Sequence, residues 1–291
     1  MEGLLNIDKP GGVTSHDVVD RLRRVSKVRR VGHAGTLDPL ATGVLLVCVG
    51  RTTRLVEYLV GQSKTYVTTV RLGQTTNTYD AEGEVVQERP FTHITPTVIE
   101  QALAQFRGTI QQIPPLYSAI KKDGQPLYKL ARRGETVEVP AREITVYELE
   151  MLSLVLPDVE LRVVCSSGTY IRSLAHDLGE ALGCGGHVAR LRRTAVGNFS
   201  VEAATPLADL TAENVTAKLL PGDTAVRHLP RLDLPSADIT SLELGQMVAC
   251  QPDQIPTELA RVYGEDGRFV GIVTAVEGQW RPKKIFHAAD E

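Results

Sequence analysis

The chain has 291 residues, of which 42% are hydrophobic and 23% charged, and its formal net charge is −3. This composition excludes collagen-like and low-complexity proteins and predicts a globular protein with a sizeable core. Four scattered cysteines without a Cys-x-x-Cys pair argue against a zinc site or a disulfide framework. No apolar run approaches the ~18 residues that span a bilayer, and the first ten residues do not resemble a signal peptide. A cytoplasmic protein is therefore predicted.

The predicted elements of the first half mix strands with helices. Alternating or continuous apolar runs predict strands, apolar residues at helical spacing predict helices, and glycine-rich stretches without periodicity predict loops. In chain order they are a strand at 4–7, a helix with Ser15 as its N-cap, a loop over 31–43, a buried strand over 44–49, a helix over 51–60, a strand over 66–72 and a turn-like segment over 75–83.

The second half continues this mixture. Thr95 and Pro96 predict the start of a helix, as N-cap and first helical residue. The elements that follow are this helix to 106, a short strand near Tyr117, a helix near 127–133, strands over 143–155 and 159–166 joined by a hairpin at 156–158, and a helix over 169–182. Since no strict strand–helix–strand repeat occurs, we expect an α+β fold with a large mixed, mainly antiparallel sheet flanked by helices.

The C-terminal part differs in composition. It turns acidic and loop-rich around 205–230, and strand signals recur between 232 and 285. We therefore expect a domain boundary near residue 230. The main domain would span 1–229, and a small β-rich domain of 230–291 would bind or cap.

Charge is distributed unevenly along the chain. Residues 201–260 hold three Lys/Arg against nine Asp/Glu, whereas residues 1–200 carry a net charge of +3. A single basic cluster is typical of a solvated helix face, but three in the same part of the chain favour a phosphate-binding surface. The clusters are 21–30, with six cations, 190–193, with three, and the group Lys121, Lys122, Lys129, Arg132 and Arg133.

Asp38 is the strongest candidate for chemistry in the 31–43 loop. Glycines let a backbone approach a ligand closely, and Pro39 keeps Asp38 extended, so its carboxylate can project. A simple Asp-Pro turn is the alternative. The chain lacks Gly-x-Gly-x-x-Gly, a P-loop ending and His-Glu-x-x-His, so no nucleotide or zinc motif is suggested. The loop also lacks the second carboxylate of a glycosidase.

Arg172 is a candidate partner for this carboxylate. An arginine keeps a nearby carboxylate ionised and can orient it bidentately. Arg172 falls in the first turn of the predicted 169–182 helix, where the helix dipole disfavours a cation. From these residues alone a surface ion pair is the favoured interpretation, and a functional role is the alternative that this unusual position supports.

Residues 32–43, Gly-His-Ala-Gly-Thr-Leu-Asp-Pro-Leu-Ala-Thr-Gly, resemble the signature loop of the TruB family. These are bacterial tRNA pseudouridine synthases that act on the T-loop uridine at position 55. Three further blocks agree, at 64–80, 112–121 and 167–193, and together the four cover most of residues 1–200. The tail is similar to the small PUA-type RNA-binding domain of many members.

The resemblance implies a reaction and its machinery. The N-glycosidic bond of uridine breaks, the detached ring rotates, and it rejoins the sugar through C5. Because this isomerisation is redox-neutral, no cofactor or metal is expected. Asp38 would be the nucleophile, forming a covalent intermediate through either the sugar C1′ or the base C6. The likeness implies that the tRNA T-arm is the partner, and we expect a monomer without an obligatory protein partner, although the sequence leaves the oligomeric state open.

The family pattern also implies roles for other positions. Arg172 would pair with the nucleophile, Tyr66 would stack on the flipped base and help to remove the C5 proton, and Leu191 would lie beneath the base. His33 would support the disrupted RNA loop by stacking, and Tyr170 is a further substrate-binding candidate. The basic residues at 21–30 and 190–193 would contact T-arm phosphates.

Two alternatives remain open from the sequence. The same loop and basic clusters would suit an RNA-binding module without chemistry. A hydrolase built on Asp38 with His176 and Asp177 is the second alternative, and it would need a metal or a second carboxylate.

Overall fold

The computed structural model describes residues 1–118, 120–122, 124–126, 133, 139–250 and 257–287. Its strands are β1 Gly3–Lys9, β2 Val31–Ala34, β3 Thr42–Val49, β4 Lys64–Leu72, β5 Gln74–Thr76, β6 Val85–Glu88, β7 Gly108–Gln112, β8 Lys121–Lys122, β9 Gln125–Pro126, β10 Arg142–Val155, β11 Asp158–Cys165, β12 Gly186–Val196, β13 Phe199–Ser200, β14 Thr205–Pro206, β15 Arg231–Leu234, β16 Val248–Ala249, β17 Leu259–Gly264, β18 Phe269–Val276 and β19 Gln279–Ile285. Its α-helices are α1 Ser15–Ser26, α2 Val56–Val60, α3 Pro96–Leu103, α4 Ile171–Ala181, α5 Val215–Lys218 and α6 Ser236–Glu243. Short 3-10 helices span Gly50–Leu55, Ala104–Phe106, Leu207–Asp209 and Gly222–Val226.

A ten-stranded mixed sheet carries the first two thirds of the chain. Its order is β14-β1-β3-β12-β4-β11-β10-β7, with β2 paired to β3 and β13 to β12. Most neighbours are antiparallel, whereas β1 runs parallel to β14 and β3 to β12. The predicted α+β fold with a large mixed, mainly antiparallel sheet is confirmed.

Strand β3 is buried on both faces, which explains its unbroken apolar sequence. Leu45 and Val47 belong to the core that α1, α3 and α4 cover. Leu46 and Cys48 belong to a second core on the opposite face, together with residues of α2. Because successive strand residues point to opposite faces, a strand covered on both sides reads as a continuous apolar run.

The C-terminal part forms a separate five-stranded sheet in the order β15-β17-β18-β19-β16. Its core surrounds Trp280 and includes buried residues of α6. This sheet also packs against the first part of the chain, because Ile272 and Phe286 join the second core. Arg54 donates a hydrogen bond to the carbonyl of Ile285 at 2.7 Å. The β-rich tail is confirmed, and the domain boundary near residue 230 stays a prediction.

Helix α1 begins one residue earlier than predicted. Thr14 is the N-cap and forms a capping box with Asp17, in which each side chain accepts from the other's backbone nitrogen. The Oγ of Ser15 instead donates to the Leu37 carbonyl at 2.9 Å and accepts from the Leu37 nitrogen at 2.8 Å. This hydroxyl ties α1 to residues 35–41, which we call the Asp38 loop.

Other local predictions need correction. Residues 31–34 form β2 rather than part of the loop, and their four-residue sequence is too short to show alternation. The strand predicted near Tyr117 is wrong: the chain bends there after Pro114 and Pro115, whose nitrogens cannot donate to a strand ladder. The helix predicted near 127–133 falls, apart from Arg133, outside the described residues. Within the described ranges, no helix has the length and apolar character to cross a membrane.

Gly43 lies where β3 meets β12, with a φ of +100°, and a Cβ there would be 2.1 Å from the Arg193 carbonyl oxygen. We expect Gly43→Ala to lower the free energy of unfolding by about 2–5 kcal/mol, because left-handed strain of ~1–2 kcal/mol adds to overpacking of ~1–3 kcal/mol. Denaturant titration measures this loss.

Gly183→Ala is the matched control. Its φ is +74°, and no atom lies within 4 Å of the added Cβ. Strain alone predicts a loss of about 1–2 kcal/mol. Equal losses in the two variants would contradict a special role for the close approach at Gly43.

Candidate active site

The Asp38 loop is fixed on both sides of its carboxylate. Ser15 holds Leu37 through the two hydrogen bonds described above. The Nζ of Lys9 donates to the Pro39 carbonyl at 3.3 Å. These contacts hold the backbone immediately before and after Asp38, and they leave its carboxylate for other partners.

Lys9 is fully buried, and its ammonium donates hydrogen bonds to backbone carbonyls. Besides Pro39, it donates to the carbonyls of Pro10 at 2.9 Å and Val13 at 2.7 Å, which uses all three donors of the group. Burial lowers the pKa of Lys9 to about 8, and the Asp38 carboxylate opposes this shift. The three carbonyls and the nearby carboxylate thus keep a cation in the core at neutral pH.

Arg193 fixes the same loop from β12. Its side chain is buried, and it donates to the carbonyls of Val44 at 2.7 Å, Gly35 at 3.0 Å and Thr36 at 3.4 Å. The prediction that Arg193 belongs to a phosphate-binding cluster is wrong. Its guanidinium faces into the protein because strand alternation puts it on the same side as Leu191.

Arg172 lies in the first turn of α4, as predicted, and is 5% exposed. Its Nε is 2.9 Å from the Asp38 Oδ2. Its Nη1 donates to the Thr78 carbonyl at 3.1 Å, and its Nη2 donates to the Tyr117 carbonyl at 2.9 Å. The guanidinium is therefore shared among three segments, and the surface ion pair that the sequence left open is wrong.

A second carboxylate, which sequence reasoning missed, lies beside Arg172. The Asp80 Oδ2 is 3.4 Å from the Arg172 Nη1, and its Oδ1 accepts from the Thr78 hydroxyl at 2.6 Å and the Glu82 nitrogen at 3.1 Å. Asp80 is 3% exposed, and both of its oxygens have protein partners. Its place at the end of the 64–80 block was the only indication of a role in the sequence. An aspartate in a turn is common and therefore suggests nothing by itself.

The charge on Asp38 depends on its neighbours. Burial raises the pKa of this carboxyl above its usual range, and the Asp80 carboxylate raises it further. The Arg172 cation opposes both effects. Water reaches only part of the side chain, 36% of which is exposed, so Arg172 is the main group that favours the ionised form.

A cavity of about 370 Å³ opens beside Asp38. Its volume falls in the ~300–1,000 Å³ range of small-molecule sites. Tyr66 of β4 and Leu191 of β12 line it from adjacent strands, and Tyr170 and Arg172 line it from the start of α4. The structure thus brings five of the six predicted site residues to one cavity.

The two cavity tyrosines stay protonated at neutral pH, because burial raises the pKa of both Tyr66 and Tyr170. Tyr170 is also fixed through its backbone. Its nitrogen donates to the Gln112 Oε1 at 2.8 Å, and its carbonyl accepts from the Gln112 Nε2 at 3.0 Å. This pair of bonds joins the start of α4 to the end of β7.

His33, the sixth predicted residue, lies outside the cavity lining, on β2 just before the Asp38 loop. Burial and the nearby Arg193 lower the pKa of His33, so the imidazole is neutral at neutral pH. Its Nδ1 is buried and has no hydrogen-bond partner within the described part of the chain. The ring is thus placed beside the loop, but it does not face Asp38 across the cavity.

The geometry disfavours the hydrolase alternative. His176 and Asp177 do not line the cavity, and the His176 ring stacks on Tyr79 with 3.9 Å between the ring centroids. Asp80 does not line the cavity either, and both of its oxygens have protein partners. Among the described residues, the cavity therefore offers Asp38 no second acid.

Three family descriptions match successive parts of the chain. "TruB family pseudouridylate synthase (N terminal domain)" matches residues 23–171, "tRNA pseudouridylate synthase B C-terminal domain" matches 172–229, and "Pseudouridine synthase II TruB, C-terminal" matches 230–286. The chain belongs to the TruB family of pseudouridylate synthases. The resemblance seen in the sequence is confirmed, and the protein is an enzyme of this family.

Individual TruB relatives are similar over nearly the whole chain. Proteins named tRNA pseudouridine synthase B from Dehalococcoides mccartyi and Cupriavidus metallidurans are both 45% identical to it, over 98% of this chain and 97% and 94% of the relatives. A solved structure described as an H/ACA RNP bound to a substrate RNA containing 2'-deoxyuridine matches with a TM-score of 0.75 and 26% identity. A Cbf5-Nop10-Gar1 complex matches with a TM-score of 0.76 and 28% identity. Each covers 99% of this chain and 86% of the solved chain.

The electrostatics of this TruB site predict the titration of Asp38. Arg172→Gln removes the cation that lowers the pKa of Asp38, so this pKa is expected to rise further above the ~3.9 of a free aspartate. Arg172→Lys keeps the charge and is expected to raise the pKa of Asp38 less than Arg172→Gln does. Carbon-detected NMR of the Asp38 carboxyl measures the titration.

Arg71→Gln is the control, because Arg71 pairs with Asp158 rather than with the site. It is expected to leave the Asp38 titration unchanged. An unchanged pKa in Arg172→Gln would show that the pair does not set the charge of Asp38.

Proposed function

We propose that this TruB enzyme converts the T-loop uridine at position 55 of tRNA into pseudouridine, with Asp38 as the nucleophile. The observation that carries the proposal is the Asp38 carboxylate, which meets the buried Arg172 at 2.9 Å on the wall of a cavity. The relatives named tRNA pseudouridine synthase B support the substrate class. So does the likeness to a complex described as bound to a substrate RNA.

The proposed reaction needs only groups that this chain supplies. The bond between N1 and C1′ breaks, the base turns, and C5 bonds to C1′. The C5 proton is then lost and N1 gains a proton, so atoms and electrons balance without an oxidant or reductant. Asp38 forms a covalent adduct with C1′ or C6 and leaves again, which divides one difficult step into easier ones. No cofactor is required, and nucleophile and cation both come from one chain, so we propose a monomer.

The cavity suits a base taken out of its stack. Flipping costs a few kcal/mol, and contacts to the extruded base offset this cost. Tyr66 offers an aromatic ring and Leu191 an apolar surface to the base. Tyr66 would stack on the base and help to remove the C5 proton, and burial raises the pKa of its phenol. His33 would stack on the RNA loop that the base leaves, and Tyr170 would contact the nucleotide.

Only some of the basic residues suit the T-arm phosphates. Arg29 and Arg30 are exposed near the end of α1, and Arg190 is exposed on β12. By contrast, Arg21 donates to the carbonyls of Ala208 and Leu210. We propose that the exposed set binds the RNA backbone, while residues 230–291 form a small PUA-like RNA-binding domain.

Asp38→Asn tests the catalytic proposal. The variant keeps the size of the side chain but removes the nucleophile, so it is expected to bind a T-arm hairpin normally while turnover falls by about 10⁴-fold or more. Release of tritium from uridine C5 measures turnover, and filter binding measures affinity.

The controls separate the alternatives. Asp177→Asn is expected to keep wild-type turnover, whereas the hydrolase alternative predicts its loss. A module without chemistry would release no label even as the wild-type protein. Substantial turnover by Asp38→Asn would remove Asp38 from its proposed role.

The proposed phosphate contacts predict the salt dependence of binding. The double variant Arg29→Ala, Arg30→Ala is expected to weaken T-arm binding and to reduce the slope of log K against log[salt] by about 0.7–0.9 for each phosphate that the variant no longer neutralises. Fluorescence anisotropy over a salt series measures this slope.

Arg21→Ala is the matched control from the same cluster, because the Arg21 guanidinium contacts protein carbonyls. It is expected to leave the slope unchanged. If Arg21→Ala lowered the slope as much as the double variant, the division into exposed and internal cations would be wrong.

A further inference from the structure

Tyr79 and His176 form a stacked pair outside the cavity. Their ring centroids are 3.9 Å apart, and the ring planes differ by 8°. His176 lies one helical turn after Arg172 on α4, and Tyr79 lies between the two residues that contact Arg172 from the other side, Thr78 and Asp80. The stack therefore joins the helix that carries Arg172 to the segment that accepts its hydrogen bonds.

The backbone of Tyr79 is unusual. Its φ is +63°, a left-handed conformation that a bulky residue adopts only when its surroundings enforce it. The Tyr79 carbonyl accepts from the Val188 nitrogen at 3.0 Å, and its ring lies on His176. This conformation turns the Thr78 carbonyl and the Asp80 carboxylate toward the same guanidinium.

Neither ring lines the cavity, and one imidazole nitrogen of His176 has no hydrogen-bond partner among the residues that the structure describes. Tyr79 and His176 are absent from the cavity lining. The Nδ1 of His176 is buried without a hydrogen-bond partner in the described ranges. The contact that the structure shows for the His176 ring is therefore its stack on Tyr79.

We propose that Tyr79 and His176 are positioning residues for catalysis: their stack holds the Thr78–Asp80 segment against Arg172 and so keeps the Asp38 carboxylate ionised and correctly aimed. This inference rests on the proposed function, which makes Asp38 the nucleophile. It extends the site to two residues that do not touch the base.

The test removes each ring by one substitution and keeps a flat ring in a second, conservative substitution. Tyr79→Asn removes the ring, and asparagine tolerates the left-handed conformation. His176→Ala removes the other ring and leaves the strained residue untouched. Both are expected to lower kcat for tritium release from a T-arm hairpin by about 10–100-fold, because small misplacements of catalytic groups have effects of this size. KM is expected to stay within about twofold.

The conservative variants provide the rescue. Tyr79→Phe and His176→Phe keep a flat ring in each position, so kcat is expected to stay within about threefold of wild type. Glu277→Asn is the matched control: Glu277 also has a positive φ, of 50°, in the turn between β18 and β19. It is expected to leave kcat unchanged. Thermal unfolding of all variants checks that folding is intact at the assay temperature.

A second measurement does not depend on turnover. NMR titration of the Asp38 carboxyl in the free enzyme is expected to show a higher pKa in Tyr79→Asn and His176→Ala, because Arg172 is held less firmly, and a wild-type pKa in the two Phe variants. Wild-type kcat and Asp38 titration in the ringless variants would overturn the proposal. So would a His176→Phe variant as impaired as His176→Ala. If the wild-type protein released no label, the proposed function would fail, and the titration would still decide whether the stack positions Arg172.

Discussion

Burial of the Arg172 guanidinium is the constraint on which the site depends. Removing an ion from water costs several kcal/mol, and this cost is offset only when partners satisfy the charge and its donors. Arg172 meets the requirement with Asp38, Asp80 and the carbonyls of Thr78 and Tyr117. These partners come from distant parts of the sequence, so the position of one cation determines how the Asp38 loop, the 78–80 turn and the 116–118 bend are arranged around α4.

Two further buried cations, Lys9 and Arg193, donate hydrogen bonds to backbone carbonyls of the Asp38 loop. The loop is largely irregular, so several of its carbonyls lack strand or helix partners, and buried carbonyls need donors. Lys9 supplies one to Pro39, and Arg193 supplies others to Gly35 and Thr36. Because these donors belong to β1 and β12, the geometry of the loop is tied to the main sheet. Hydrogen bonds to the sheet thus fix the backbone on both sides of the Asp38 carboxylate, although the segment itself is irregular.

Sequence reasoning succeeded where one local pattern determines the structure. The alternation of β4 and β11, the apolar run of β3 and the Thr95 cap all gave correct elements, because burial on one face leaves an alternating pattern, burial on both faces leaves an apolar run, and an N-cap is a local hydrogen bond. It failed where the partner is distant. Ser15 looks like an N-cap, but its hydroxyl binds Leu37. Arg193 looks like a surface cation beside two other arginines, although strand alternation from the inward Leu191 would have placed it inside. Asp80 gave no local signal, and the roles of the site residues stay predictions.

The arrangement also explains why Arg172 has more partners than its pairing with Asp38 requires. A base entering the cavity displaces water from Asp38, and lower local polarity disfavours the charged carboxylate. A cation held only by Asp38 would be free to shift when a ligand enters, and the pKa of the carboxyl would then rise further. Thr78, Asp80 and Tyr117 hold the guanidinium from the protein side, so its position beside Asp38 does not depend on a ligand in the cavity. The fold thus places a cation beside Asp38, the proposed nucleophile, before any substrate arrives.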